Sequence, residues 1–72
     1  MTYEQIVSVL GYAGDHDQAV RIRTTGEFEV VGVPTSVDAH ITAHEVYVKP
    51  WGAEDTEIAV SLAVIESVEL MA

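Results

Sequence analysis

A chain of 72 residues makes one small domain, and because it has no cysteine, neither disulfides nor a cysteine-based zinc site can supplement its core. Twelve acidic residues against three basic ones give a formal charge of −9, which disfavours nucleic acid and anionic membranes as partners. Hydrophobic residues make up 49% of the chain, a rich share for so little interior, since a domain of about 60 residues buries only about 60% of the surface its unfolded form exposes. Part of that apolar surface is therefore expected to lie between the subunits of a homo-oligomer.

The acids are spread along the chain with no block of five or six, so no acidic tail is read. The charge serves either solubility or a surface that meets a basic protein partner or mimics nucleic acid. Met1 to Leu10 has no basic start and contains Glu4, and no apolar run approaches the roughly 20 residues that span a bilayer. The expected location is cytoplasmic.

Thr2-Tyr3-Glu4-Gln5 has the form of a capping box, and Tyr3, Ile6, Val7 and Leu10 recur at helical spacing. A short helix over about Tyr3 to Leu10 is predicted, ended by Gly11 as a left-handed cap and lying as a lid over one end of the fold. Gly11 to Asp17 then reads as a loop. Its run Asp15-His16-Asp17 is expected to be a solvated turn, because three consecutive residues do not easily converge on one metal ion.

Gln18 to Thr24 alternates, with Val20 and Ile22 inward and Arg21 and Arg23 outward, and Thr25-Gly26 supplies a hairpin turn. Phe28 and Val30 are expected to continue the buried face opposite Glu27 and Glu29. Those glutamates face Arg21 and Arg23 across the hairpin, which predicts cross-strand ion pairs. In Val30-Val31-Gly32-Val33-Pro34 both faces are apolar. The internal glycine marks a bend, bulge or close backbone approach, and the proline belongs at an edge or a strand end. A sharp bend at Gly32 would let one long strand serve both halves of a barrel.

Val37 to Lys49 holds the chain's one concentration of chemically capable groups. As a continuous strand it places Asp38, His40, Thr42, His44 and Val46 on one face and Ile41 and Tyr47 on the other; with a turn near Thr42-Ala43, Asp38, His40 and His44 can still cluster. Two histidines and an aspartate could serve a polar ligand, a subunit contact or a divalent metal, but an exposed polar strand face is the reading preferred for them. Pro50-Trp51-Gly52 ends the strand. Trp51, the single tryptophan, either plugs the end of the fold or stands exposed as a binding residue. The candidate ligand- or partner-binding residues are Asp38, His40, Thr42, His44 and Trp51; no metal and no cofactor is assigned.

Glu57 to Leu70 reads as strand, one-turn corner, strand. Ile58, Val60 and Leu62 alternate with polar or small residues, the spacing lengthens to three through Leu62, Ile65 and Val68, and alternation resumes at Val68 and Leu70.

The predicted fold is mainly β: a short N-terminal α-helix followed by a five-stranded, strongly bent antiparallel barrel. Its order of elements resembles that of Sm-like barrels, a kind of SH3-like barrel. Gly32 sits where that family has its bend glycine, Val37-Asp38-Ala39-His40-Ile41-Thr42 is similar to its Asp-x-x-Met-Asn stretch, and the last two strands have its one-turn corner. The resemblance implies rings made by joining edge strands, and RNA contacts at positions that Asp38 to Thr42 resemble. The chain departs from the pattern at Thr42, where the family has asparagine. It departs again at Ala63-Val64-Ile65-Glu66, which has no Arg-Gly pair and no basic group. RNA binding is not carried over with the fold.

Ser8, Ser36, Ser61 and Ser67 lie in no nucleophile motif, and no glycine loop is present to cradle a phosphate. A non-enzymatic protein is expected. Three functions are compatible with these residues: a homo-oligomeric binding or adaptor module; an acidic inhibitor that occupies a partner's basic nucleic-acid-binding site, as some small phage-encoded proteins do; and an oligomer that captures a small ligand in inter-subunit pockets near Asp38, His40 and His44.

Overall fold

Thr2 and Gln5 open the first element. The Thr2 hydroxyl accepts from the Gln5 amide at 3.2 Å while the Gln5 side-chain oxygen accepts from the Thr2 amide at 2.9 Å, so two donors left free at a helix start are satisfied reciprocally. In the computed structural model, which describes residues 1–38, 44–53 and 55–71, helix α1 then runs Tyr3–Asp15. It passes through Gly11, where it was expected to stop, because the apolar stripe continues beyond that residue: Ile6, Leu10 and Ala13 are all buried. The helix ends with His16 as its C-cap, the His16 amide donating to the Tyr12 carbonyl at 3.1 Å. Asp17 follows in the left-handed region at φ 52. Asp15 is thus the last residue of the helix, and His16 and Asp17 form the exposed turn that was expected.

The strands are β1 (Val20–Thr24), β2 (Glu29–Asp38), β3 (Glu45–Pro50), β4 (Ile58–Ser61) and β5 (Ile65–Leu70). They form one antiparallel sheet in the order β4-β3-β2-β1-β5, so the architecture is α+β: one N-terminal helix on a five-stranded sheet. The core joins Ile6, Leu10 and Ala13 of α1 to Val20, Ile22, Val46, Val48, Val60, Leu62, Ile65 and Val68. Val20, Ile22, Val60 and Leu62 are inward positions of the period-two pattern, and Leu62, Ile65 and Val68 follow the three-residue spacing of the corner. The helix lies against β2 and β5, and Gly14 permits the approach, since a Cβ there would already stand 3.3 Å from the Pro34 carbonyl oxygen.

A 3₁₀ turn, Thr25–Glu27, joins β1 to β2 with both Gly26 (φ 80) and Glu27 (φ 66) in the left-handed region. Phe28 caps this turn outside the paired part of β2 and is 72% exposed, so it is not part of the buried face, which resumes in the expected phase at Val30 opposite Ile22. The expected ion pairs form with Glu29: Arg21 Nε is 3.3 Å and Arg23 Nε 3.6 Å from its carboxylate. Glu69 of β5 joins them, 3.5 Å from Arg21 Nη1, because β5 places it directly opposite Arg21. Glu27 stays in the turn.

Gly32 is the pivot of β2. Residues up to Gly32 pair with β1, and residues from Gly32 onward pair with β3, so one strand serves two neighbours in succession. A Cβ at Gly32 would run into the Lys49 carbonyl and stand 2.9 Å from the Pro50 Cα; only glycine lets the two backbones come this close. Pro34 lies beyond the last β1 pair, and its missing amide therefore costs no ladder bond on that side. The β2–β3 register shifts between Pro34 and Ser36, leaving Thr35 as the extra residue of a bulge.

Val37 to Lys49 is interrupted at His44, which lies outside any strand at φ 46 just before β3 begins at Glu45; the turn expected near Thr42-Ala43 lies outside the described residues. After β4, the 3₁₀ turn Leu62–Val64 leads straight into β5. The Ser61 hydroxyl accepts from the Ala63 amide at 3.3 Å, and the Leu62 amide donates to the His44 carbonyl at 3.0 Å, tying the corner to the start of β3. The two strands that this corner joins are the two edges of the sheet.

Candidate functional site

The candidate residues fall at opposite ends of β3. Asp38 ends β2 directly opposite Glu45, and His44 immediately precedes β3. Trp51 immediately follows β3, roughly 20 Å from His44 along an extended chain. His40 and Thr42 lie outside the described residues. Among the described residues, no group of three or more histidine or carboxylate side chains is placed to hold a metal. His44 is committed elsewhere. Its ring stacks on Tyr3 with centroids 5.0 Å apart, and its backbone sits at φ 46.

Around Asp38 the outer face of β2, β3 and β4 carries a polar cluster. Tyr47 Oη donates to Glu45 Oε1 at 2.7 Å. Thr35 Oγ1, brought round by the bulge, donates to Glu57 Oε2 at 2.9 Å and lies 3.2 Å from the Tyr47 carbonyl. The Tyr47 phenol is held above its ordinary pKa, first by its hydrogen bond to Glu45 and then by the charge of Glu45, by burial and by the charges of Asp38 and Glu57. The charges that act on the phenol are all acidic: Glu45, Asp38 and Glu57.

At the other end of β3, Trp51 is 68% exposed and does not plug the fold. Its amide donates to the Val31 carbonyl at 2.8 Å, and the Ala53 amide donates to Pro50 at 3.1 Å. A cavity of about 410 Å³ lies between Trp51 and the turn after α1, lined by Trp51, Asp17, Gln18, Val33 and Met71 among others. It adjoins a second cavity of about 520 Å³ that shares Asp17 and Val33 and reaches Lys49 and Thr35. Both are open to solvent.

Tyr47, Glu45 and Glu57 carry no sequence signal that singles them out, and Asp17 was readable only as part of a solvated turn. The continuous-strand reading put Tyr47 on the face opposite Asp38 and Val46; in the structure Tyr47 shares the outer face with Asp38 and Glu45, and Val46 is the buried one. No protein-family model matches the chain, and comparison with curated proteins and with solved structures finds no match. Among the described residues, no helix is long and apolar enough to cross a membrane.

Proposed function

We propose that this chain is a non-enzymatic Sm-like or SH3-like barrel module of the cytoplasm that homo-oligomerises through its two edge strands and works as a binding or adaptor protein. The observation that carries the reading is the exposure of Ile58 and Leu70. Each stands opposite a fully buried valine, Ile58 opposite Val48 and Leu70 opposite Val20, so both belong to the core face of the sheet. Yet they are 37% and 42% exposed, because the core face runs out at β4 and at β5. Joining β4 of one copy to β5 of the next would cover both residues and complete both hydrogen-bond ladders.

Two further features support it. Natural edge strands are commonly blunted by lysine or proline, and neither residue occurs in Ile58–Ser61 or Ile65–Leu70. The corner Leu62–Val64 sets the two edges next to each other in the chain, as in the Sm-like order of elements. Sedimentation at micromolar concentration tests the proposal. Wild type is expected to run as a multiple of 7.8 kDa, and Ile58→Lys and Leu70→Lys each to shift it toward a single copy. A wild-type monomer across that range overturns the oligomer.

A further inference from the structure

We infer that the groove between Trp51 and the Asp17 turn is a docking site for one arginine or lysine side chain of a basic protein partner. The inference rests on the reading of this chain as a binding module and not on its self-association. Trp51 presents an exposed indole whose backbone is pinned to β2 through Val31. Asp17 is exposed, lines the same cavity, and is fixed in its left-handed conformation, the next amide, Gln18, donating to the Ala13 carbonyl at 2.9 Å. An aromatic face draws a cation through its quadrupole, and a carboxylate at the same cavity supplies the charged hydrogen-bond partner. The backbones that carry both groups are already held in place, so little backbone ordering opposes capture of a side chain.

Charge selects the occupant. A chain of net charge −9 attracts cations at long range, and its own arginines are engaged with Glu29 and Glu69. Lys49 lines the adjoining cavity beside Asp17, so a second cation is repelled there and the site takes a single cationic side chain, not a basic run. The groove is too open to enclose a free small molecule, which normally loses most of its surface to a pocket. A side chain presented by a protein surface fits it.

Trp51, the only tryptophan, is its own reporter. Titration with an end-blocked glycine peptide carrying one arginine is expected to change Trp51 emission saturably and to weaken as salt is raised. The same peptide with glutamine for arginine should leave the emission unchanged. Asp17→Asn, which keeps a residue tolerant of the left-handed backbone, should weaken binding about fivefold, whereas Glu66→Gln, an equal change of charge outside the groove, should not. No saturable response, or an equal loss in both variants, overturns the proposal, the second result marking diffuse attraction only. Ile58→Lys should keep the response, since sedimentation of that variant tests self-association alone; loss of the response there overturns the assignment of the groove to a single copy.

Discussion

The rings of Tyr3 and His44 stack with centroids 5.0 Å apart and planes 8° from parallel, joining the first turn of α1 to the residue that starts β3. His44 holds this position in the left-handed region at φ 46, and its carbonyl receives the amide of Leu62 at the β4–β5 corner. Three parts of the fold therefore meet at one strained residue. Tyr3→Ala is expected to lower stability by about 1 kcal/mol, and a double-mutant cycle with His44→Ala in chemical denaturation should return most of that as coupling. His44→Gly should cost less than His44→Ala, because glycine relieves roughly 1 kcal/mol of backbone strain. Additive single mutants would show that the stack contributes nothing.

Gly32→Ala should be among the most damaging single changes in the chain. The added methyl would run into the Lys49 carbonyl and stand 2.9 Å from the Pro50 Cα, and both neighbours are backbone of β3 that cannot rotate away. Separating β2 from β3 at their shared pivot should cost about 2 kcal/mol or more. In a domain this small, that shift should lower the melting temperature by at least several degrees. An unchanged thermal midpoint would mean that the two strands do not approach so closely.

The alternation of Val20 with Ile22 and of Ile58 with Val60, and the three-residue spacing from Leu62 to Val68, were enough to place β1 and the strand-corner-strand. They report local geometry that the residues impose on themselves. Gly32 was readable as a close approach for the same reason. Gly11 misled because glycine stops a helix only where the next turn has nothing to bury, and Ala13 has the core. Phe28 misled because it shares the phase of Val30 but lies beyond the last pair of the ladder, Arg23 with Glu29, where alternation no longer means burial. The candidate site was least legible. His44 is drawn to Tyr3 across the whole length of the intervening chain, and Glu57 reaches Thr35 only through a bulge in β2; both are tertiary events with no local signature.

Thr2→Ala tests whether α1 is held by its own cap or by its packing. Loss of the hydroxyl removes the acceptor for the Gln5 amide, which typically costs about 1 kcal/mol. Met1 also reaches the sheet from this end, its sulfur accepting from the Val68 amide at 3.2 Å. Fraying of the first turn should therefore raise hydrogen exchange at Gln5 and Ile6 and also at Val68. Protection lost at Gln5 and Ile6 alone would mean that the β5 edge is independent of the helix start.

Tyr47 makes stability depend on pH at the alkaline end. Its phenol donates to Glu45 and lies in the field of Asp38 and Glu57, so the folded chain holds the phenolic proton more tightly than the unfolded chain, in which the group keeps its ordinary value of 10.0. A folded pKa raised in this way contributes stability that is fully present below about pH 10 and is lost as pH rises through the raised value. Tyr47→Phe lacks the titrating group and the hydrogen bond together. The variant is expected to be less stable than wild type at neutral pH, and the gap should narrow steadily above pH 10. Every other side chain is the same in both proteins, so its contribution largely cancels in the difference. Urea denaturation of the pair at a series of alkaline pH values measures it directly. A gap that stays constant, or widens, through that range would show that the Glu45 carboxylate does not hold the Tyr47 proton in the folded chain.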